Sequence, residues 1–296
     1  MNTSSQPQLF LPDWSLDAVI RPGQMPAWEG RDSLGDIDWS RPRLSALWFL
    51  CNLSQLSYSA TQESLDLRLA RAGLPPSELW LQRGSQNAYG IRCHGARILI
   101  FQGSTGLECL RFDLQCKAAL DAASGLRVHG GFLGAWKLLE AEVLEWAAAD
   151  SSLPLISAGH SLGGALAALA ALRLPQNHRF SVGFGAPRLV VAADAARYAA
   201  PYFRLRNHND PVANLPPPWM GFDHIGKELW LGPDLRLKAG EGETFWSSLG
   251  EELRHPFRAW RHGWNASPLR CLSDHAPLNM ARGLMGSLRE MGDREI

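Results

Sequence analysis

Twenty residues in the middle of the chain, Leu153 to Leu172, read L-P-L-I-S-A-G-H-S-L-G-G-A-L-A-A-L-A-A-L and leave few folds open. Leu153 to Ala158 is a short apolar run, long enough for one buried strand of a parallel sheet. Gly159-His160-Ser161-Leu162-Gly163 then has the form G-x-S-x-G, and from Leu162 onward the residues are Ala and Leu, both strong helix formers. The order is therefore strand, tight turn, helix. A serine on so sharp a turn takes a strained backbone conformation, and only small neighbours let strand and helix approach each other; Gly159 and Gly163 supply that room. The turn projects the Ser161 hydroxyl at the carboxyl end of the strand and the positive end of the helix, with the N–H of Leu162 facing the place where an oxyanion forms. A glycine-rich loop with a capping serine would share the bare pattern. The strand, the doubled glycine and the uninterrupted helix favour a nucleophile elbow, with Ser161 as nucleophile.

Around this stretch, strands and helices alternate. Leu44 to Tyr58 reads as a strongly apolar helix and Gln62 to Ala72 as an amphipathic one, stopped by Gly73-Leu74-Pro75-Pro76. Glu78 to Arg83, Ala88 to Cys93 and Arg97 to Phe101 read as strands, the last the most apolar and expected to lie centrally. A long helix is expected over Gly131 to Ala149, a short one over Ala192 to Ala199, and further strands over Arg179 to Phe184, Tyr202 to Arg206 and Glu228 to Leu231. Such alternation indicates an α/β fold, a doubly wound sheet with ligands at the carboxyl ends of its strands. The loops at Ser104, Ser161, Gly185 and Asp210 all fall at such ends. Residues 1–42, rich in Pro, Gly, Asp and isolated Trp, read as an irregular arm laid over a domain of residues 43–296.

A length of 296 residues suits one large domain, and 46% hydrophobic residues can fill its core. A formal net charge of zero gives no reason to expect nucleic acid as a partner. The five cysteines lack zinc-ligand spacing and read as reduced and mostly buried, which suits a cytoplasmic chain; no metal and no cofactor is expected. The first residues show no basic-then-apolar leader pattern, from which a cytoplasmic location is expected, with a removed leader or a leader-independent export route left open. No run of eighteen apolar residues occurs, so no transmembrane span is expected.

An activated serine needs a histidine base, and the base needs an orienting carboxylate; in sheets of this kind they follow in the order Ser, Asp or Glu, His. The acid best placed on a loop after a strand is Asp210, in Asn207-His208-Asn209-Asp210-Pro211-Val212, although an Asp before Pro also suits a plain turn. Two histidines compete for the base. His224 leads into an apolar strand, whereas His275, in Leu272-Ser273-Asp274-His275-Ala276-Pro277, lies on a loop beyond the last strand and is placed to reach back to Ser161. Layout favours His275. His129, His160 and His208 flank the same loops and read as hydrogen-bonded scaffolding.

Six segments in register resemble the class 3 (fungal-type) lipases, an α/β-hydrolase family, over about four fifths of the chain. Phe101-Gln102-Gly103-Ser104 resembles the family's F-R-G-[ST] oxyanion segment, with Gln102 where arginine is usual. Val128-His129-Gly130-Gly131-Phe132 resembles its V-H-x-G-F helix start, and Gly159 to Gly164 its G-H-S-L-G-G elbow. Phe184-Gly185-Ala186-Pro187-Arg188 resembles its F-G-[SA]-P-R turn, Asn207 to Val212 its N-x-x-D-x-V loop, and His224 to Trp230 its H-x-G-x-E-x-W strand. The resemblance implies an α/β-hydrolase fold with a mostly parallel central sheet, helices on both faces and a short lid after the oxyanion loop. It also implies a triad of Ser161, Asp210 and His275, oxyanion N–H groups from Ser104 and Leu162, a structural role for His224, and lipid esters as substrates. Gln102 puts the usual ion-pair support of the oxyanion loop in doubt.

In the lid position, Leu107, Leu110 and Phe112 would lie beside the pocket mouth, as a flap that opens on a lipid surface or as residues packed on the domain. In the insertion at about 231–270, Leu249, Leu253, Phe257, Trp260 and Trp264 recur at helical spacing beside Arg254, Arg258 and Arg261. That stripe suits transient binding to a lipid surface, or a core face with Arg stems at its rim. The expected activity is acylglycerol hydrolysis. A phospholipase A1, a soluble carboxylesterase and a non-catalytic lipase-like binding module remain the alternatives.

Overall fold

A computed structural model describes residues 11–29, 36–104, 117–238 and 270–296. The lid positions Leu107, Leu110 and Phe112 and the aromatic stripe from Leu249 to Trp264 lie outside them. In chain order the strands are β1 (Leu79–Arg83), β2 (Gln86–Cys93), β3 (Ala96–Phe101), β4 (Ala118–Asp121), β5 (Leu126–His129), β6 (Leu155–His160), β7 (His178–Phe184), β8 (Val190–Val191), β9 (Tyr202–Asn207), β10 (Phe222–Asp223), β11 (Lys227–Leu231) and β12 (Leu237–Lys238).

Eight of them form the central sheet, in the order β1-β2-β3-β6-β7-β9-β11-β12. The run from β3 to β11 is parallel, and antiparallel strands stand at both edges. Every residue of β3 and of β6 is buried, because helices cover both faces, which is why these strands read as unbroken apolar runs. Alternate side chains of β3 go to opposite cores. Ile98 and Ile100 meet the all-buried helix Leu44–Leu56 and the C-terminal helix Pro277–Met291 on one face. Leu99 and Phe101 meet Trp136, Val143 and the elbow helix Leu162–Ala171 on the other.

Three features depart from expectation. The helix expected over Gly131 to Ala149 is two, Gly130–Lys137 and Glu140–Ala148. The break lets both Trp136 and Leu139 turn fully into the core, and Trp136 Nε1 donates to Glu140 Oε1 at 3.0 Å. The helix expected over Ala192 to Ala199 is a 3-10 turn, Ala192–Arg197. Val128-His129, expected to open a helix, ends β5 in a second, antiparallel sheet of order β10-β8-β5-β4.

Ahead of the domain, Ser15 caps a single helical turn, Leu16–Ile20, followed by a 3-10 turn at Pro22–Gln24. Trp28 then packs edge-on against Trp48 and tilted against Phe49, with ring centroids 5.8 and 5.2 Å away. No helix among the described residues is long and apolar enough to cross a membrane.

Candidate active site

The elbow is built as its glycines require. A Cβ on Gly163 would overlap the carbonyl of Phe101, and one on Gly159 the carbonyl of Gly163, so β3, β6 and the elbow helix close only around glycine. Ser161 sits between them at φ 58° and ψ −129°, a conformation costing about 1–3 kcal/mol in a non-glycine residue. Its N–H donates to Phe184 O at 2.8 Å, which holds the strained turn against β7. Ser161 Oγ is buried and makes no hydrogen bond to a protein group among the described residues. Hydrogen bonds from a serine to its base commonly tighten only once substrate is seated. Leu162 opens the helix, so its N–H has no intrahelical acceptor.

Asp210 and His275 meet although 65 positions separate them: His275 Nδ1 lies 2.9 Å from both Asp210 Oδ1 and Oδ2. Asp210 is fully buried, and its Oδ1 also accepts from the N–H groups of Val212 and Ala213, at 2.9 and 3.3 Å. The carboxylate is thus fixed by its own loop before it meets the imidazole. The His275 loop is tied to the end of β9, where Asn207 Nδ2 donates to Asp274 O at 3.0 Å and Asn209 N to Asp274 Oδ2 at 3.3 Å. Gly185, at φ +60°, faces this pair: a Cβ there would stand 2.5 Å from Asp210 Oδ2 and 2.9 Å from His275 Nδ1.

His160 joins elbow and base. Its ring lies 4.5 Å from the His275 ring; its Nε2 is 2.7 Å from His275 O, and Tyr58 Oη is 2.6 Å from its Nδ1. A carbonyl only accepts, so Nε2 carries the proton and Tyr58 donates to Nδ1. Burial, and then the neighbouring His275, hold His160 well below the usual histidine range, so it stays neutral. Tyr58, Asn207, Asp274 and Gly185 are site residues to which sequence reasoning gave no role. Asn207, Asp274 and Gly185 lay within the segments it quoted, whereas Tyr58 appeared only as the end of a helix.

The oxyanion segment runs against the elbow: a Cβ at Gly103 would meet His160 O at 2.5 Å and Ser161 Cβ at 2.9 Å. Ser104 follows, half-buried. Gln102 has a neutral partner, its Oε1 accepting from Asn87 Nδ2 at 2.7 Å. His129 stays apart from the triad candidates, stacked on Phe132 with ring centroids 4.1 Å apart. Burial pushes it down to about 4. His224 also lies outside the cluster; burial and then Arg204, Arg188 and Arg206 drive its pKa far down. Among the described residues no group of three or more His, Cys, Asp or Glu is arranged to hold a metal ion.

The family model described as "Lipase (class 3)" matches residues 98–220, the stretch carrying the oxyanion segment, the elbow and the Asp210 loop. Across these residues the chain is similar to the class 3 lipases. A lipase from Rhizomucor miehei is 34% identical over 148 residues, covering 45% of this chain and 41% of the relative. A "secreted mono- and diacylglycerol lipase 1" from Fusarium solani is 33% identical over 120 residues, covering 38% and 36%. The chain thus spans about two fifths of the length of these curated relatives. A solved triacylglycerol lipase whose catalytic centre is described as a serine protease triad matches at TM-score 0.55 and 29% identity, over 64% of this chain and 80% of its own. The Rhizomucor miehei triacylglyceride lipase structure matches at TM-score 0.56 and 24% identity, over 79% and 95%, a likeness of fold. The fold is an α/β-hydrolase fold with a mostly parallel central sheet.

One expectation falls here. The cytoplasmic location is overturned by relatives named as secreted, from Fusarium solani and from Penicillium cyclopium, the latter 36% identical over 110 residues. It rested on the first residues and on unpaired cysteines. Cys51 and Cys93 are free and buried, but buried thiols follow from packing in any compartment.

Proposed function

We propose that this class 3 lipase-like chain hydrolyses carboxylic esters of lipids, acylglycerols foremost, through Ser161, His275 and Asp210. The observation that carries the reading is the Asp210–His275 pair, buried beside a serine on a positive-φ elbow. His275 takes the proton of Ser161 Oγ through Nε2 as the hydroxyl attacks the ester carbonyl. Asp210 holds the proton on Nδ1 and stabilises the imidazolium. The N–H groups of Leu162 and Ser104 receive the oxyanion, and the elbow helix adds its positive end. His275 then returns the proton to the leaving alcohol, and water, activated by the same histidine, releases the acid. The secreted mono- and diacylglycerol lipases among the relatives support acylglycerols as substrates and action outside the cell. In this reading residues 43–296 are one catalytic domain, with 1–42 an arm laid over it and about 231–270 an insertion.

The test compares wild type with Ser161→Ala on short- and long-chain p-nitrophenyl esters, emulsified triacylglycerol and phospholipid. Wild type should turn over the acylglycerol, and Ser161→Ala should lose about 10⁴-fold or more of that rate. Hydrolysis of phospholipid in preference to acylglycerol would favour a phospholipase A1. A wild type inert on every ester would sink the reading and leave a lipase-like binding module.

A further inference from the structure

Residues 11–29 cross the outside of the fold at two of the places that support the His275 main chain. The first is the C-terminal helix. Asn279, fully buried, accepts from Asp13 N through Oδ1 at 2.6 Å and donates through Nδ2 to Asp13 O at 2.8 Å. The same Nδ2 also donates to Ser273 O at 2.9 Å, two residues before His275. One turn further on, Arg282 grips Glu29 with Nε and Nη2, at 2.6 and 3.0 Å, and Leu11 O with Nη1 at 3.0 Å.

The second place is the end of the helix Leu44–Leu56. Gln55 Nε2 donates to Met25 O and Pro26 O, at 3.1 and 2.7 Å, and Asn52 Oδ1 accepts from Trp28 N at 2.7 Å. Gly23 lies so close that a Cβ there would stand 2.5 Å from Tyr58 O. Tyr58 is the residue whose hydroxyl binds His160, and His160 in turn binds His275 O.

We infer that residues 11–29 form a strap that positions His275, with Asn279 as its positioning residue; this rests on the reading of His275 as the base. The amide chemistry makes the coupling specific. Nδ2 of Asn279 donates to Asp13 O and Ser273 O together while Oδ1 takes the Asp13 N–H, so one buried amide joins the strap to the turn before His275. Without the Asp13 N–H, the buried Oδ1 loses that donor, and the amide and the strap shift to re-pair it. The turn Ser273–Ala276 then loses one tether, and a displaced strap loosens Tyr58 behind the other. The imidazole stays bonded to Asp210 but shifts relative to Ser161, a change felt in proton transfer rather than in ester binding.

The experiment uses the full chain, with Asn279→Leu, which removes all three bonds, and Asp13→Pro, which removes the N–H donor on the half-buried strap together with the carboxylate that accepts from Ser15 N. Leu284→Ala, in the core of the same helix, is the control for lost stability alone. Three quantities are read well below each thermal midpoint: kcat and KM on p-nitrophenyl butyrate, the rate of Ser161 labelling by a p-nitrophenyl phosphonate, and the folded fraction by near-ultraviolet circular dichroism. Both strap variants should lose tenfold or more in kcat and in labelling rate, with KM within twofold and the protein folded, while Leu284→Ala lowers the midpoint and keeps kcat. A smaller loss, or one that tracks the folded fraction as in the control, overturns the inference. A wild type that is neither active nor labelled would overturn the serine-hydrolase reading itself, and the strap's role with it.

Discussion

Replacing Gly185 with alanine puts a Cβ 2.5 Å from Asp210 Oδ2 and 2.9 Å from His275 Nδ1. The first of these separations is roughly 1 Å short of van der Waals contact. Asp210 cannot yield alone, since Val212 N and Ala213 N hold its other oxygen. The imidazole therefore moves, and a misplacement of about 1 Å at a reacting group costs roughly 10²-fold in rate. Backbone strain adds a separate effect: alanine at φ +60° costs about 1–2 kcal/mol, or about 2–8 °C in Tm for a domain of this size. Gly84 separates the two contributions, because its φ is +61° and nothing lies within 4 Å of its Cβ position. Thermal melts and kcat on a soluble ester should show both variants losing similar stability, and only Gly185→Ala losing about 10²-fold in kcat. Equal kcat in the two variants would refute the claim that this glycine is required by the Asp210–His275 pair.

Asp210→Asn should lower kcat by about 10⁴-fold with KM little changed, because an amide donating to Nδ1 selects the wrong imidazole tautomer; a loss below tenfold in single-turnover kinetics would contradict its role. His129 is neutral and buried, with a folded pKa of about 4 against an ordinary 6.5. Between those values the unfolded chain takes up a proton that the folded one refuses, so its contribution is intact above pH 6.5 and is lost as pH falls toward 4. His129→Phe should therefore show a smaller drop in Tm between pH 7 and 4.5 than wild type, and an equal drop would exclude the assignment. Gln102→Leu leaves the Asn87 amide without its acceptor and should cost about 1–3 kcal/mol by urea denaturation. Its kcat should stay near wild type, since the oxyanion donors are backbone groups; a large kcat loss would mean that the side chain holds the oxyanion loop in register.

What could be read from the sequence was what local chemistry specifies. β6 is covered on both faces, so it had to be an apolar run, and the elbow had to carry glycines because no Cβ fits between β3, β6 and the helix. The second sheet was not legible, since Val190–Val191 and Phe222–Asp223 are too short to carry any period. The break in the long helix was hidden for a related reason: Leu138-Leu139 continues the helical pattern, and only the burial of Leu139 beside Trp136 ends the first segment.

The supports of His275 were hidden by distance along the chain. Tyr58 and His160 are 102 positions apart, His160 and the carbonyl it binds 115, and Asp13 and Asn279 266. None of these pairs leaves a spacing to read, because the folded sheet and helices bring each partner to the other. The motif residues of such a site are therefore legible one by one, while the angle at which the base meets the serine is set by residues that carry no motif. A substitution on the outer arm should for that reason alter turnover while every motif remains intact, and Asp13→Pro is the variant in which the two can be told apart.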